Sequence, residues 1–287
     1  MKKVAKNATL VGIASVKLNV LVIGGGRMGK AFIKGLTHSA EHKIYLVEPN
    51  SERKLELKKD FNIDISDSEN YENQIKKFLP LANIIIICVK PQIFSSLQSI
   101  LSGNISHEQT VLSIMAGINT EKICKSLKIK NSIRVMPNTP GQIGKGISVW
   151  FSKNSIDNNI KTNIESILES LGDHIKVDSE DTIDKATAIS GSGPGYIYNF
   201  MEVMQKSCRE IGMDDNLSRD LIIKTFLGST LLANTSNKEF NELKNEVISP
   251  KGTTEAGLNI MNKNNFENSI ISGIKASYMR AKELNND

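Results

Sequence analysis

The sequence predicts an α/β protein in two parts, a parallel sheet wrapped by helices followed by an all-helical domain. Three observations carry this. From Asn19 to about Val177, short β-rich apolar runs alternate with amphipathic stretches, the pattern of a parallel sheet covered on both faces. A glycine-rich turn stands between the first of those runs and the helix after it. After Asp181 the strand pattern stops and only helical periods remain.

The elements follow in order. A Val/Leu/Ile run predicts a strand at 20–23, and apolar periodicity predicts a helix at 28–37. A strand at 44–48 and a helix at 52–59 come next. The longest apolar run, Ile84 to Val89, has the length of a buried strand and is far too short to cross a bilayer. Strands at 110–114 and 132–136 flank a helix at 120–127, and a later pair of strands is expected at 147–151 and 174–177. Helical periods then occupy 194–211, 217–234, 240–247, 253–261 and 266–284. In the first of these, Ile197, Met201, Met204 and Cys208 form a stripe that reads as core or subunit interface rather than as a cofactor box. The expected division is an extension over 1–18, a dinucleotide-binding domain over 19–178 and a helical domain over 179–287. A helical domain of about a hundred residues rarely buries enough surface alone. It is expected to pair with a second copy, giving a homodimer or a larger assembly of dimers.

Composition limits the function. The chain has 287 residues, 39% hydrophobic and 23% charged, which is the profile of a soluble globular protein. Lys2, Lys3, Lys6 and Lys17, with no acid among residues 1–18, account for four of the formal +5 charge. The folded part therefore shows no basic patch suited to nucleic acid. Ala8 to Val16 is mildly apolar behind lysines and faintly resembles a signal peptide. It contains Gly12 and Ser15 and runs straight into a strand, so export is not expected. Cys88, Cys124 and Cys208 are odd in number and far apart, which fits a reducing cytoplasm rather than a disulfide framework. His38, His42, His107 and His174 show no ligand spacing, so no metal is expected.

The turn Gly24-Gly25-Gly26-Arg27-Met28-Gly29 reads G-x-G-x-x-G between a strand and a helix. Gly24 makes the tight turn, Gly26 lets backbone approach a pyrophosphate, and Gly29 lets the helix lie close to the strand. The sheet domain is thus of the Rossmann type and its cofactor NAD or NADP. Glu48, 24 residues after Gly24, stands where an acid bonds the ribose 2′-hydroxyl. This leans toward NAD(H), whereas Arg53 and Lys54 either neutralise a 2′-phosphate or form a solvated helix face. Other turns at strand ends are Val89-Lys90-Pro91, Ala116-Gly117 and Pro137-Asn138-Thr139-Pro140. Lys90 bonds either a ribose hydroxyl or solvent. Asn138, rigidified by a proline on one side and Thr139-Pro140 on the other, is placed to line the site. Ser190-Gly191-Ser192-Gly193-Pro194 opens the helical domain and allows close approach of either ligand or another helix. Late in the chain, Ser249-Pro250-Lys251-Gly252-Thr253-Thr254 has a Ser at an expected helix cap and a Pro at the expected first helical position. Such a start aims N–H groups and hydroxyls at one small anion.

Together VMPNTP at 135–140, AISGSGP at 188–194 and SPKGTT at 249–254, with the early G-x-G-x-x-G and VKP, resemble the pyrroline-5-carboxylate reductase family from about Val20 to the carboxyl end. The resemblance implies a Rossmann domain followed by a helical dimerisation domain. It also implies NAD(P)H-dependent reduction of 1-pyrroline-5-carboxylate to L-proline, at a site formed between the cofactor domain of one subunit and the helical domain of the other. Thr254 resembles the threonine that bonds the ring nitrogen, and Ser249, Gly252 and Thr253 the turn that grips the carboxylate. Lys90 and Pro91 resemble the turn beneath the cofactor. Thr254, Asn138 and Ser192 are the candidate catalytic residues. Arg27 stands where that family usually has Asn, Lys251 where Gly is frequent, and Gly141 where Ala usually follows the second proline. The extension before Asn19 is longer than the family leads one to expect. A hydroxyacid dehydrogenase of similar layout would need a Lys near the start of the first helix of the helical domain, but the first there is Lys206. A non-catalytic dinucleotide sensor would keep the glycine turn without needing the late anion site.

Overall fold

The structure, a computed structural model, describes residues 17–39 and 42–286. Of the expected extension, residues 1–16 lie outside the described residues. The chain divides into two compact units. One runs to Ala186 and takes in the chain from Lys282 onward; the other is Thr187–Ala281.

The first unit is one eight-stranded sheet with helices on both faces. Its first half comprises β1 (Asn19–Ile23), α1 (Arg27–Ser39), β2 (Lys43–Val47), α2 (Ser51–Asp60), β3 (Asp64–Ile65), α3 (Tyr71–Phe78) and β4 (Ile84–Ile87). Its second half comprises α4 (Phe94–Leu101), β5 (Thr110–Ser113), α5 (Thr120–Leu127), β6 (Ile133–Met136), β7 (Gly146–Ser152), α6 (Asn158–Glu169), β8 (Gly172–Lys176) and α7 (Glu180–Ala186). The strand order is β3-β2-β1-β4-β5-β6-β7-β8. All neighbours are parallel except β6 with β7, which corrects the expectation of a wholly parallel sheet. The reason is length. Residues 137–145 hold one tight 3-10 turn, Thr139–Ile143, and a parallel return needs a crossover of roughly a dozen residues or more.

Alternation along each strand feeds two cores. Val20, Val22, Ile84 and Ile86 pack on one face with Phe32 and Ile33 of α1 and Ile164 and Ile167 of α6. Leu21, Ile23, Ile85 and Ile87 pack on the other with Ile75, Leu97 and Ile123 of α3, α4 and α5. Asn50, Asn70, Asn119 and Asp157 cap α2, α3, α5 and α6, each side chain accepting from the N–H three residues on. Such a cap stabilises by about 1 kcal/mol. One charged cluster lies inside. Arg134, 1% exposed on β6, pairs with Asp184 at 2.7 Å and Glu180 at 3.3 Å. Glu180 also accepts from the N–H and hydroxyl of Thr120 at the start of α5.

The second unit opens with a single π turn, Thr187–Gly191, in which the Ser192 N–H donates to the Thr187 carbonyl at 2.8 Å. It continues as α8 (Gly193–Glu210), α9 (Asp215–Thr235), α10 (Phe240–Glu246) and α11 (Thr253–Lys263), and the chain ends in α12 (Phe266–Asn286). This unit has almost no interior. α8, α10 and α11 bury no residue, and α9 buries only Ser218 and Ile222. In the predicted stripe Ile197 is exposed, while Met201, Met204 and Cys208 are half-buried. Phe200 gathers Phe226 and Phe266 at ring distances of 5.8 and 6.0 Å.

Candidate active site

The glycine turn links the end of β1 to α1, beside β4, where the strand order runs outward in two directions. That reversal is the crevice in which open α/β sheets bind ligands. Gly24 has φ +101°, and a Cβ there would come within 2.9 Å of the Cys88 carbonyl oxygen. A Cβ on Gly29 would fall 1.9 Å from the Gly24 carbonyl oxygen, so α1 starts as close to the turn as backbone allows. A Cβ on Gly26 would touch nothing, so its backbone is bare. The first intrahelical bond runs from the Lys30 N–H to the Gly26 carbonyl. The N–H groups of Arg27, Met28 and Gly29 come before it and lack carbonyl partners one turn back. Bare backbone beneath free N–H groups at a helix start fits the pyrophosphate of a dinucleotide.

The structure brings Glu48 to this turn in a way the sequence did not disclose. Glu48 is 2% exposed. Its carboxylate accepts from the Gly25 N–H at 2.7 Å, the Asn50 N–H at 2.8 Å and Arg53 Nη1 at 3.0 Å. Its own N–H donates to Gln74 Oε1, and Gln74 is fully buried. Glu48 therefore acts as a strut inside the turn.

The remaining sheet-edge candidates lie at the carboxyl ends of β4, β5 and β6. Val89 is half-buried, Lys90 is exposed, and Pro91 starts a short 3-10 turn. Ala116 is half-buried. Gly117 is buried at φ +71°, and a Cβ there would lie 2.3 Å from Leu284 Cβ. The missing side chain at Gly117 thus makes room for the chain's own last helix. Asn138 Oδ1 accepts from the Ile147 N–H at 3.0 Å across the β6–β7 connection. That bond fixes the amide and leaves its NH2 to donate elsewhere. Cys88 lies against the glycine turn, but burial pushes its thiol well up, so it is a packing residue rather than a nucleophile.

In the helical unit the late motif folds differently from the expected cap. α11 begins at Thr253 and its N-cap is Gly252. Ser249 and Pro250 lie before it, in a turn closed by the Gly252 N–H donating to the Ser249 carbonyl at 2.9 Å. Pro250 occupies the second position of that turn and Lys251, at φ +62°, the third, the pattern of a type II turn. A fixed proline φ suits that position as well as a first helical residue, which is why the sequence pointed to the wrong one. Gly252 fits tightly, since a Cβ would meet Ser249 Oγ at 2.2 Å and the Ser249 carbonyl oxygen at 2.9 Å. The Ser249 hydroxyl thus lies over Gly252. The Ala256 N–H bonds back to the Gly252 carbonyl, so the N–H groups of Thr253, Thr254 and Glu255 lie ahead of the first intrahelical bond. Thr254 is half-buried and Thr253 exposed. Glu255, which sequence reading missed, accepts the Lys251 N–H at 2.7 Å. Its position three residues after Gly252 was the available signal. Ser192 shares a hydrogen bond with the Ser277 hydroxyl of α12 at 3.1 Å, a partner with no local signature. Lys206 pairs with Glu202 on an exposed face of α8, the position of a surface lysine. Among the described residues no cluster of three or more His, Cys, Asp or Glu is placed to hold a metal.

Known proteins resemble this chain over nearly its whole length. A family model described as pyrroline-5-carboxylate reductase dimerisation matches residues 180–284. A second, described as NADP oxidoreductase coenzyme F420-dependent, matches residues 19–117. Pyrroline-5-carboxylate reductase 2 of Bacillus subtilis is 33% identical over 91% of this chain and 93% of its own length. The Haemophilus influenzae pyrroline-5-carboxylate reductase is 30% identical over 92% of this chain and 97% of its own. Among solved structures, a Plasmodium falciparum pyrroline carboxylate reductase with NADP bound superposes with TM-score 0.83 at 26% identity, covering 93% of this chain and 98% of that one. A pyrroline-5-carboxylate reductase from Coxiella burnetii gives TM-score 0.79 at 29% identity over 93% and 98%. With curated relatives of 30% identity or more matching it nearly end to end, the chain belongs to the pyrroline-5-carboxylate reductase family.

Proposed function

We propose that this chain reduces 1-pyrroline-5-carboxylate to L-proline with NADPH or NADH, the last step of proline formation. The observation that carries the substrate side is the start of α11. Three N–H groups without intrahelical acceptors, a serine hydroxyl over a tightly fitted glycine and a half-buried threonine gather in one turn. A small carboxylate suits that set.

Each residue then has a task. The N–H groups of Thr253, Thr254 and Glu255, with the Ser249 hydroxyl, hold the substrate carboxylate. The Thr254 hydroxyl accepts from the ring N–H of the iminium and afterwards from that of proline; a hydroxyl oxygen, with two lone pairs, accepts in both states. Arg27, Met28 and Gly29 hold the cofactor pyrophosphate, with Val89, Lys90, Pro91 and Ala116 along the same sheet edge. Asn138, its carbonyl oxygen held by Ile147, donates its amide toward that edge. Ser192, braced by Ser277, lines the imine side. Reduced nicotinamide supplies the hydride when bound. The protein's part is to hold imine carbon and donor at near-attack distance, ~3–3.5 Å. The substrate arrives as the iminium, so its proton comes from solvent and no dedicated acid is required.

We further propose that two copies pair through the helical unit. Exposed Leu227, Leu231, Leu232 and Ile270, and an apolar hollow of about 440 Å³ lined by Phe200, Met261 and Phe266, support that reading. Free cysteines fit a cytoplasmic setting.

The decisive assay follows NAD(P)H absorbance with 1-pyrroline-5-carboxylate. Binding of both cofactors with consumption of neither would leave a dinucleotide sensor as the better reading. Thr254→Ala is expected to lower kcat/KM about 10- to 150-fold with the fold intact, since one hydrogen bond to a charged group is worth about 1.5–3 kcal/mol. Full activity in that variant refutes the role given to Thr254.

A further inference from the structure

We infer that Glu255 is a positioning residue for substrate binding: its carboxylate holds Lys251 in the left-handed backbone that shapes the carboxylate-gripping turn. Lys251 lies at φ +62° in the third position of the turn that runs from Ser249 to Gly252. That position of a type II turn favours glycine, because a Cβ is crowded there. Such strain persists only where the surroundings over-determine it.

Two other non-glycine residues have positive φ among the described residues, and each has a local reason. Lys128 closes α5, its N–H donating to the Cys124 carbonyl one turn back. Asn265 is of a residue type that tolerates this backbone. Lys251 closes no helix, and its N–H goes to a side chain instead, donating to Glu255 Oε2 at 2.7 Å. A glutamate at the third helical position usually turns back to the N–H of the cap residue. Here the cap is Gly252, and its N–H is already given to the Ser249 carbonyl at 2.9 Å. Glu255 therefore reaches one residue further, to Lys251. The bond is charge-assisted, and Glu255 is half-buried, so it is the strong kind of hydrogen bond. It ties the first turn of α11 to the loop before it. A Cβ on Gly252 would lie only 2.2 Å from Ser249 Oγ, so the place of that hydroxyl over the helix start depends on the backbone that Glu255 fixes.

The inference rests on the proposed imine reduction. The test is steady-state kinetics with 1-pyrroline-5-carboxylate as the varied substrate on the full-length protein. Glu255→Ala is expected to raise KM for the imine ~5- to 10-fold with kcat within about 2-fold, because a left-handed lysine without its support leaves fewer chains with the turn formed. An acid that acted through charge alone would do the reverse, since removing a negative charge from a helix start strengthens anion binding. Glu255→Gln keeps an acceptor for the Lys251 N–H and should recover most of the loss. In a Lys251→Gly background, glycine holds the turn unaided, and adding Glu255→Ala should shift KM by less than about 2-fold. A KM that falls or stays unchanged in Glu255→Ala, no recovery in Glu255→Gln, or an equal rise with and without Lys251→Gly overturns the inference and leaves imine reduction standing. Failure of wild type to reduce the imine with either cofactor overturns the imine reading and the role of Glu255 with it.

Discussion

The two units of this chain handle apolar residues in opposite ways. In the sheet unit, Val20 to Ile23 on β1 and Ile85 to Ile87 on β4 are completely buried, and two cores close over them. In the helical unit, Leu227, Leu231, Leu232 and Ile260 stay more than half exposed although the helices are long and well formed. Helix propensity and capping shape such helices locally, but burial supplies most of their stability. A unit with well-formed helices and almost no interior of its own fits its match to a family model described as pyrroline-5-carboxylate reductase dimerisation.

The contrast can be broken experimentally, beginning with its largest consequence. Arg134→Leu strips the cation from the cluster that joins β6 to α7 and leaves the Asp184 carboxylate, 5% exposed, without it. Removing one partner of a buried ion pair costs about 3–5 kcal/mol. Urea unfolding should show a loss of that size, and the same loss at every protein concentration. The helical unit should behave the other way. If its core is completed by a second copy, apparent stability falls by about 1.4 kcal/mol per tenfold dilution. Leu231→Glu should halve the sedimenting mass and abolish the dilution effect. A wild-type melting temperature that ignores dilution, with monomer mass throughout, sinks the comparison.

The smallest effect concerns Lys251. A left-handed non-glycine residue costs ~1–2 kcal/mol, and glycine gives back ~0.5–1 kcal/mol through the unfolded chain. Lys251→Gly should therefore gain up to about 1 kcal/mol in thermal unfolding. A loss instead would mean that the lysine side chain stabilises the turn by more than its backbone strains it.

What the sequence disclosed and what it hid follow physical range. The strands were legible because continuous Val/Ile runs have few other uses, and the glycine turn because Gly24 and Gly29 answer clashes with the adjacent strand or within a few residues while Gly26 leaves its backbone bare. The antiparallel β6–β7 pair went unread although the short connection implied it. Two-residue β3 has no periodicity to detect. Ser249 was misassigned as a cap because Ser-Pro opens a turn and a helix equally well, and only the left-handed backbone at Lys251 separates the two. The inward grip of Glu48 on Gly25, the Ser192–Ser277 bond and the Leu284 contact join residues whose spacing along the chain carries no period, so no local pattern announces them.

The Leu284 contact reaches into practical handling of the protein. Because Leu284 rests on Gly117 at the outlet of β5, clipping by carboxypeptidases back past Leu284 or a bulky purification tag fused close to it would be felt at the carboxyl edge of the sheet, along which the cofactor is proposed to bind. An affinity handle belongs on the opposite terminus, and loss of cofactor binding in an aged preparation should first prompt a mass measurement of the carboxyl end.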